Sequence, residues 1–390
     1  IPDTVTTIGA KAFRGTALKT IALPGGLTQI GDAAFQNSAL ERISIPGSVK
    51  SSSSVKGVGA YAFDGCTALA EVVFEKSSDK LLLGEYAFRG CVSLKTITLP
   101  RRIRNDKTTA GIGNGCFEGC INLKEVLFGA ESSRELDLVY GYVLSVGDYA
   151  FAGCTALEEI ILPDFLTVDP DYETDTVGAY AFKGCISLAS VSFETSRITR
   201  EVRIGEGAFD GCSGLASLVL SQATTRIGAK AFEGCTSLAE IVIPENVAAI
   251  GCGDDSVSAH ENCTISVKNL VAIGNGTGIC HGGTAEADHE NMYIADSDSR
   301  DFFVLNRRNS FRNIAVEASA PATSEIGDKG DAVLENLRFH SEKPGARFRT
   351  QNAGQVTAKN VELFNHTYLG NTPGITVVND PASVKAEIAR

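Results

Sequence analysis

The residues of this 390-residue chain best suited to chemistry are its eleven cysteines and five histidines. A thiol can close a disulfide, ligate a metal or act as a nucleophile, and its spacing and surroundings decide which. In seven places a Gly-Cys pair comes directly after a Phe-led turn: Cys66, Cys91, Cys120, Cys154, Cys185, Cys212 and Cys235. A second group, Cys252, Cys263 and Cys280, lies among His260, His281 and His289. The spacing of that group matches no compact zinc pattern. A disulfide between two of its cysteines is the better expectation in an oxidising compartment. Carboxylates alternate at Asp169, Asp171, Glu173 and Asp175 and gather again at Asp296, Asp298 and Asp301. The first run lacks the glycine and distal glutamate of a complete calcium loop, and both read as solvated acidic loops. No metal, cofactor or catalytic residue is assigned.

The element that positions the seven cysteines is a repeat. Gly-x-x-Ala-Phe or a near variant recurs nine times, with its aromatic at Phe13, Phe35, Phe63, Phe88, Phe117, Phe151, Phe182, Phe209 and Phe232. The spacings are 22, 28, 25, 29, 34, 31, 27 and 23 residues. After each Phe come a short turn, a Leu and an alternating apolar phrase such as "LERISIP", "LKTITLP" or "LEEIILP". Alternation with period two predicts a strand with one buried face. A single copy has nothing to bury that face against, so the copies must stack into a solenoid. Stacked coils place equivalent cysteines about 4.8 Å apart with parallel side chains, whereas a disulfide needs the two to point toward each other. The seven cysteines therefore read as a ladder of buried free thiols acting as small hydrophobes. The repeats "FRGTAL" and "FQNSAL" dispense with the cysteine altogether.

The phrases "IGAKAFRGTALKTIALP", "VGAYAFDGCTALAEVVF" and "IGAKAFEGCTSLAEIVIP" resemble the BspA-like leucine-rich repeats of bacterial and protist surface proteins. The resemblance covers about residues 1–250. It implies a curved extracellular solenoid associated with adhesion or host contact, and it brings no catalytic residues.

Residues 251–390 form the second expected domain. Asn followed by an apolar residue recurs at Asn246, Asn269, Asn291, Asn313, Asn336 and Asn360, at intervals of 23, 22, 22, 23 and 24. That step suits one coil of a parallel β-helix with an inward Asn stacked on its neighbours. In periodicity and in its Asn ladder this half resembles right-handed β-helix proteins of the pectate-lyase type. The fold class is thus a mainly β repeat solenoid, with BspA-like repeats continuing into a β-helix-like one through a shared core. Roughly fifteen coils would make a rod on the order of 70 Å long. Phe311, Phe339, Phe348 and Phe364 read as core.

The formal net charge of -12 argues against a nucleic-acid partner, which requires a concentrated basic surface. No apolar run is long enough to span a bilayer. The opening Ile1-Pro2-Asp3 has neither the basic end nor the apolar stretch of a signal peptide, as would also hold for a mature or trimmed product. Longer repeats gain their extra residues between the strand's end and the next Ile/Val/Leu-Gly. Such an edge either carries recognition or simply tolerates length cheaply. The residues expected to contact a protein or cell-surface partner are Arg101, Arg102, Arg104, Tyr140, Tyr142, Phe165 and Tyr172, with the aromatics as the better anchors. Sequons at Asn262, Asn275 and Asn365 are the possible N-glycosylation sites.

Three function classes follow. A non-catalytic extracellular or cell-surface binding module rests on the repeats and the one-edge inserts. A structural subunit rests on the apparent lack of capping repeats, which would let copies stack head to tail into a filament as a homo-oligomer. A polysaccharide-active enzyme would need paired carboxylates or a calcium beside a basic residue, with aromatic platforms. The chain has no Trp, and no lyase motif can be matched in it, so the chain is read as not an enzyme.

Overall fold

The computed structural model describes residues 1–51, 57–77, 79–100, 103, 105, 110–129, 144–163, 175–193, 201–228 and 230–238, and then segments between 248 and 378. In that last stretch, side chains are described for 310–316, 332–341, 346–350, 355–364, 368–370 and 372–377. The chain divides into two compact units, Ile1–Ser221 and Gln222–Arg390.

The first unit is a parallel β solenoid. Its strands are β1 (Thr7–Ile8), β2 (Gln29–Ile30), β3 (Arg42–Ile45), β4 (Glu71–Phe74), β5 (Thr96–Leu99), β6 (Glu125–Phe128), β7 (Glu159–Leu162), β8 (Ser190–Phe193), β9 (Val202–Ile204) and β10 (Ser217–Leu218). The alternating apolar phrases supply β3 to β8 and β10, all pairing in parallel: β3 with β4, and β5 through β8 in order to β10. The phrase at 18–24 is the exception and stays irregular. A second parallel column of single bridges joins Ile30, Val58, Leu83, Ile112, Val146, Val177 and Ile204.

Between the two columns lies the Gly-x-x-Ala-Phe turn, which alternates its bonding. The Phe63 N–H donates to Ala87 O of the next coil at 2.7 Å, whereas the Asp64 N–H donates back to Tyr61 O in its own turn at 3.1 Å. The same pair of bonds recurs at Phe151 and Ala152. The glycine after each bridge residue is where backbones meet most closely. A Cβ at Gly59 would lie 2.6 Å from Asp32 N and from Gly31 C of the preceding coil, so no side chain fits there.

Stacking gives the interior its columns. Eight rings from Phe13 to Phe209 stack with centroids 5.0 to 5.3 Å apart and planes within 8°, an arrangement that aromatic pairs favour when offset. Leu40, Leu69, Leu94, Leu123, Leu157, Leu188 and Leu215 form a fully buried column beside them. Inward strand residues Ile43, Val72, Ile97, Val126, Ile160 and Val191 complete the core.

The second unit is built from β11 (Thr224–Ile227), β12 (Ala248–Ile250), β13 (Asp255–Ala259), β14 (Val267–Lys268), β15 (Val271–Ile273), β16 (Thr277–His281), β17 (Ala287–Ala295), β18 (Arg300–Leu305), β19 (Asn309–Ala318), β20 (Thr323–Gly327), β21 (Ala332–Ser341), β22 (Ala346–Arg349), β23 (Val356–Phe364), β24 (His366–Leu369) and β25 (Ile375–Val378). One parallel sheet runs β12-β15-β17-β19-β21-β23-β25 and another β13-β16-β18-β20-β22-β24. Each coil thus contributes a strand to both sheets. Phe311, Phe339 and Phe348 are fully buried with Ile314, Leu337 and Leu363, while Phe364 is half-buried.

The Asn ladder exists, but it faces outward and not inward. Asn313, Asn336 and Asn360 are exposed, with φ of 53°, 56° and 55°. Strict alternation along β21 would turn Asn336 inward between Glu335 and Leu337. The left-handed backbone breaks the alternation, so Glu335 and Asn336 both face solvent while Leu334 and Leu337 stay buried. Asn is the non-glycine residue best able to hold that conformation. The amides bond in series, Asn336 Nδ2 to Asn313 Oδ1 and Asn360 Nδ2 to Asn336 Oδ1, each at 3.1 Å.

Candidate recognition surfaces

The thiol ladder is closed to chemistry. Cys66, Cys91, Cys120, Cys154, Cys185, Cys212 and Cys235 are buried and free, and so is Cys116, which takes the place of Ala in the "NGCFEG" turn. The thiols of Cys66, Cys91, Cys120, Cys154, Cys185 and Cys212 donate to the carbonyl of the preceding coil's Phe; for Cys154 and Phe117 the distance is 3.2 Å. Burial pushes Cys91, Cys116 and Cys154 well above the usual thiol range and Cys120 up to about 12. Cys212 is raised first by its hydrogen bond with Cys185 and then by burial. The thiolate needed for nucleophilic attack or metal ligation is therefore disfavoured. Thr16 and Ser38 occupy the cysteine position in the two short repeats, and the Ser38 hydroxyl lies 3.4 Å from Cys66 Sγ.

The outward face of the strand column carries a different signal. Leu127 of β6 and Ile161 of β7 each directly follow the last paired residues of the two strands, Val126↔Ile160. Leu127 is 44% and Ile161 52% exposed, and Val73 and Val219 hold the same outward position on other coils. Glu125 and Glu159 stand directly opposite each other on that face, both exposed. Like charges directly opposite across a ladder oppose folding. Lys124 pairs with Glu158 at 3.3 Å just before them, and neither Glu125 nor Glu159 has an ion pair among the described residues. Two exposed large aliphatic groups and two facing carboxylates thus lie together on the outward face of β6 and β7.

This architecture has a family. The model of the BspA type leucine rich repeat region matches in 6 copies across residues 1–104, 48–136, 81–172 and 139–265. The chain belongs to the BspA-type leucine-rich repeat family. Solved structures similar to this BspA-type chain include a leucine-rich repeat protein from Bacteroides ovatus ATCC 8483, 27% identical, covering 74% of this chain and 71% of that one with a TM-score of 0.42. Another is the pneumococcal vaccine antigen PcpA, 18% identical, covering 82% and 73% with a TM-score of 0.42. A third is a leucine-rich cell surface protein from Faecalibacterium prausnitzii A2-165, 20% identical, covering 68% and 78% with a TM-score of 0.30. No curated protein matches the chain.

The BspA-type repeats hold the bases of their inserts with single polar side chains. Ser51 Oγ accepts the N–H of Gly57 and that of Leu82, each at 2.8 Å. Asn105 Oδ1 does the same for Gly111 at 2.8 Å and Ser145 at 2.7 Å. One oxygen thereby closes the loop and fastens it to the next coil. The anchors expected within the inserts, Arg101, Arg102, Arg104, Tyr140, Tyr142, Phe165 and Tyr172, lie outside the described residues. So do Asn262, Asn275 and Asn365, Cys252 and Cys263, and the side chain of Cys280. Among the described residues no cluster of three or more His, Cys, Asp or Glu could hold a metal.

Sequence reasoning missed the outward face. Its signal was present in "EVLF" and "EIIL", where the outward position between two inward ones is itself a large aliphatic.

Proposed function

We propose that this chain is a non-catalytic extracellular or cell-surface recognition module that holds a protein ligand on the outward face of β6 and β7, with the inserted loops as a second contact. The juxtaposition of exposed Leu127 and Ile161 with the opposed carboxylates of Glu125 and Glu159 carries this reading. It fits a partner segment that brings a Lys or Arg beside an aliphatic side chain, since such a segment relieves the carboxylate repulsion and covers the aliphatic pair at once. Membership of a repeat family with surface-displayed members supports the location. No helix among the described residues is long and apolar enough to cross a membrane.

A displayed library of random peptides panned on the intact chain tests the reading. Recovered sequences should pair Lys or Arg with Leu, Ile or Val, and binding should drop at least tenfold in Glu125→Lys/Ile161→Asp. Because both side chains face solvent and Glu125→Lys removes a like-charge pair, the variant should stay folded and melt no more than a few degrees from the wild type. Recovered peptides that bind this variant unchanged would move the ligand elsewhere. Replacing the inserts at 101–107 and 164–175 by short turns should weaken binding further, and unchanged affinity would leave that edge as merely tolerant of length.

A further inference from the structure

One column of the first unit sets large side chains on a backbone conformation that costs stability. The third residue of each Gly-x-x-Ala-Phe turn is left-handed, and four of these positions are tyrosine: Tyr61, Tyr86, Tyr149 and Tyr180, at φ of 55° to 57°. A bulky side chain is a genuine outlier there. Ala33 at 54° and Gly115 at 58° hold equivalent positions, so the coil does not need an aromatic. Despite the cost, the rings are arranged in two stacked pairs, Tyr61 on Tyr86 at 5.0 Å and Tyr149 on Tyr180 at 5.2 Å.

Gly115 interrupts the ladder between the pairs. Tyr86 and Tyr149 therefore lie two coils apart, and on the coil step of 5.0 to 5.3 Å shown by the Phe rings their faces stand about 10 Å apart. Both pairs lean the same way. The Tyr86 ring overlies Gly115 so closely that a Cβ there would meet it at 2.3 Å, and Tyr180 overlies Gly207 identically. A common lean leaves the separation intact, so the gap admits one ring between two aromatic faces. Tyr149 is 40% exposed.

The rim of the gap is polar. Among the described residues the hydroxyls of Tyr86 and Tyr149 and the carboxylate of Glu118 have no hydrogen-bond partner. Glu118 reaches to 3.2 Å of the Gly115 Cβ position, and after burial its charge is the main influence raising the Tyr86 hydroxyl pKa. Asn114 is exposed beside them with its Oδ1 accepting the Asp148 N–H at 3.0 Å, which leaves its amide donors outward.

We infer that the gap between Tyr86 and Tyr149 binds a single neutral or amino sugar ring of a glycan, packed between the two tyrosine faces and hydrogen-bonded by Glu118, Asn114 and the tyrosine hydroxyls. A pyranose offers C–H faces to the aromatics and hydroxyls around its edge to the rim. A phenyl side chain would leave the rim groups without partners, and an acidic sugar would face the Glu118 carboxylate. The site is separate from the β6–β7 face, so each can fail without the other.

The test is an array of oligosaccharides of glucose, galactose, mannose and N-acetylglucosamine probed with the intact chain, followed by calorimetry on the strongest sugar. Tyr149→Ala should weaken binding at least tenfold and melt as the wild type does, because Ala33 shows that alanine fits this backbone. Tyr61→Ala, at the far end of the ladder, and Glu125→Lys/Ile161→Asp should bind as the wild type does. An array with no bound sugar, an unchanged affinity in Tyr149→Ala, or displacement of the sugar's place by aromatic-tipped peptides that alone bind would overturn the assignment.

Discussion

The Cys120 thiol donates to the carbonyl oxygen of Phe88, 3.2 Å away on the preceding coil. The residue that caps the turn of one repeat thereby satisfies a backbone acceptor of its neighbour. Burial holds its proton until about pH 12, far from the range where an ordinary thiol becomes reactive. Alkylation of the native chain near pH 8 should spare Cys66, Cys91, Cys116, Cys120, Cys154, Cys185, Cys212 and Cys235, and denaturant should expose all of them. Peptide mapping by mass spectrometry reads the result.

Close approach of backbones makes Gly113 irreplaceable. Its Cβ would stand 2.6 Å from Leu83 O and 2.7 Å from Gly84 C, and backbone atoms cannot swing aside. Gly113→Ala should destabilise by about 1–3 kcal/mol. Gly9, the same position of the first repeat, has nothing within 4 Å, so Gly9→Ala should stay within about 0.5 kcal/mol of the wild type. Urea titrations of both variants make the comparison.

Tyr180 should ionise late. Its hydroxyl donates to Glu206 Oε1 at 2.6 Å, and that bond, followed by burial, raises its pKa from 10.0 to about 12. The folded chain holds the proton more tightly than the unfolded one. The resulting stabilisation is therefore complete below pH 10 and is lost as pH rises from 10 to about 12. Following the phenolate absorbance should show a late phase that moves toward lower pH in Glu206→Gln.

In the second unit, Asn336 combines a left-handed backbone with an amide ladder. Asn336→Ala loses both and should cost roughly 1–2 kcal/mol from the backbone alone. Asn336→Gly keeps the backbone at ease and loses only the amides, so it should fall between Ala and wild type in thermal melts.

Much of this architecture was legible because a stacked coil repeats its demands. Phe63, Cys66 and Leu69 recur at fixed offsets since each must touch its own counterpart above and below. The outward turn of Asn336 was hidden, because a period-two pattern carries no record of φ. The inserts offer aromatic anchors at Tyr140, Tyr142 and Tyr172, while Tyr61, Tyr86, Tyr149 and Tyr180 recur in the repeat itself directly before Ala-Phe. Their signal was their regularity, masked by the rarity of left-handed tyrosine. Cys116 falls outside the cysteine pattern because it stands where the repeat expects Ala.

Successive phenylalanines of the first unit are separated by 22 to 34 residues, yet their rings advance by only 5.0 to 5.3 Å. Distance along this unit is metered in turns and is indifferent to how much chain each turn consumes. Loops can lengthen, shorten or change character through evolution while every graduation of the scale stays where it was. A ligand that grips two coils measures an interval that no insertion can stretch.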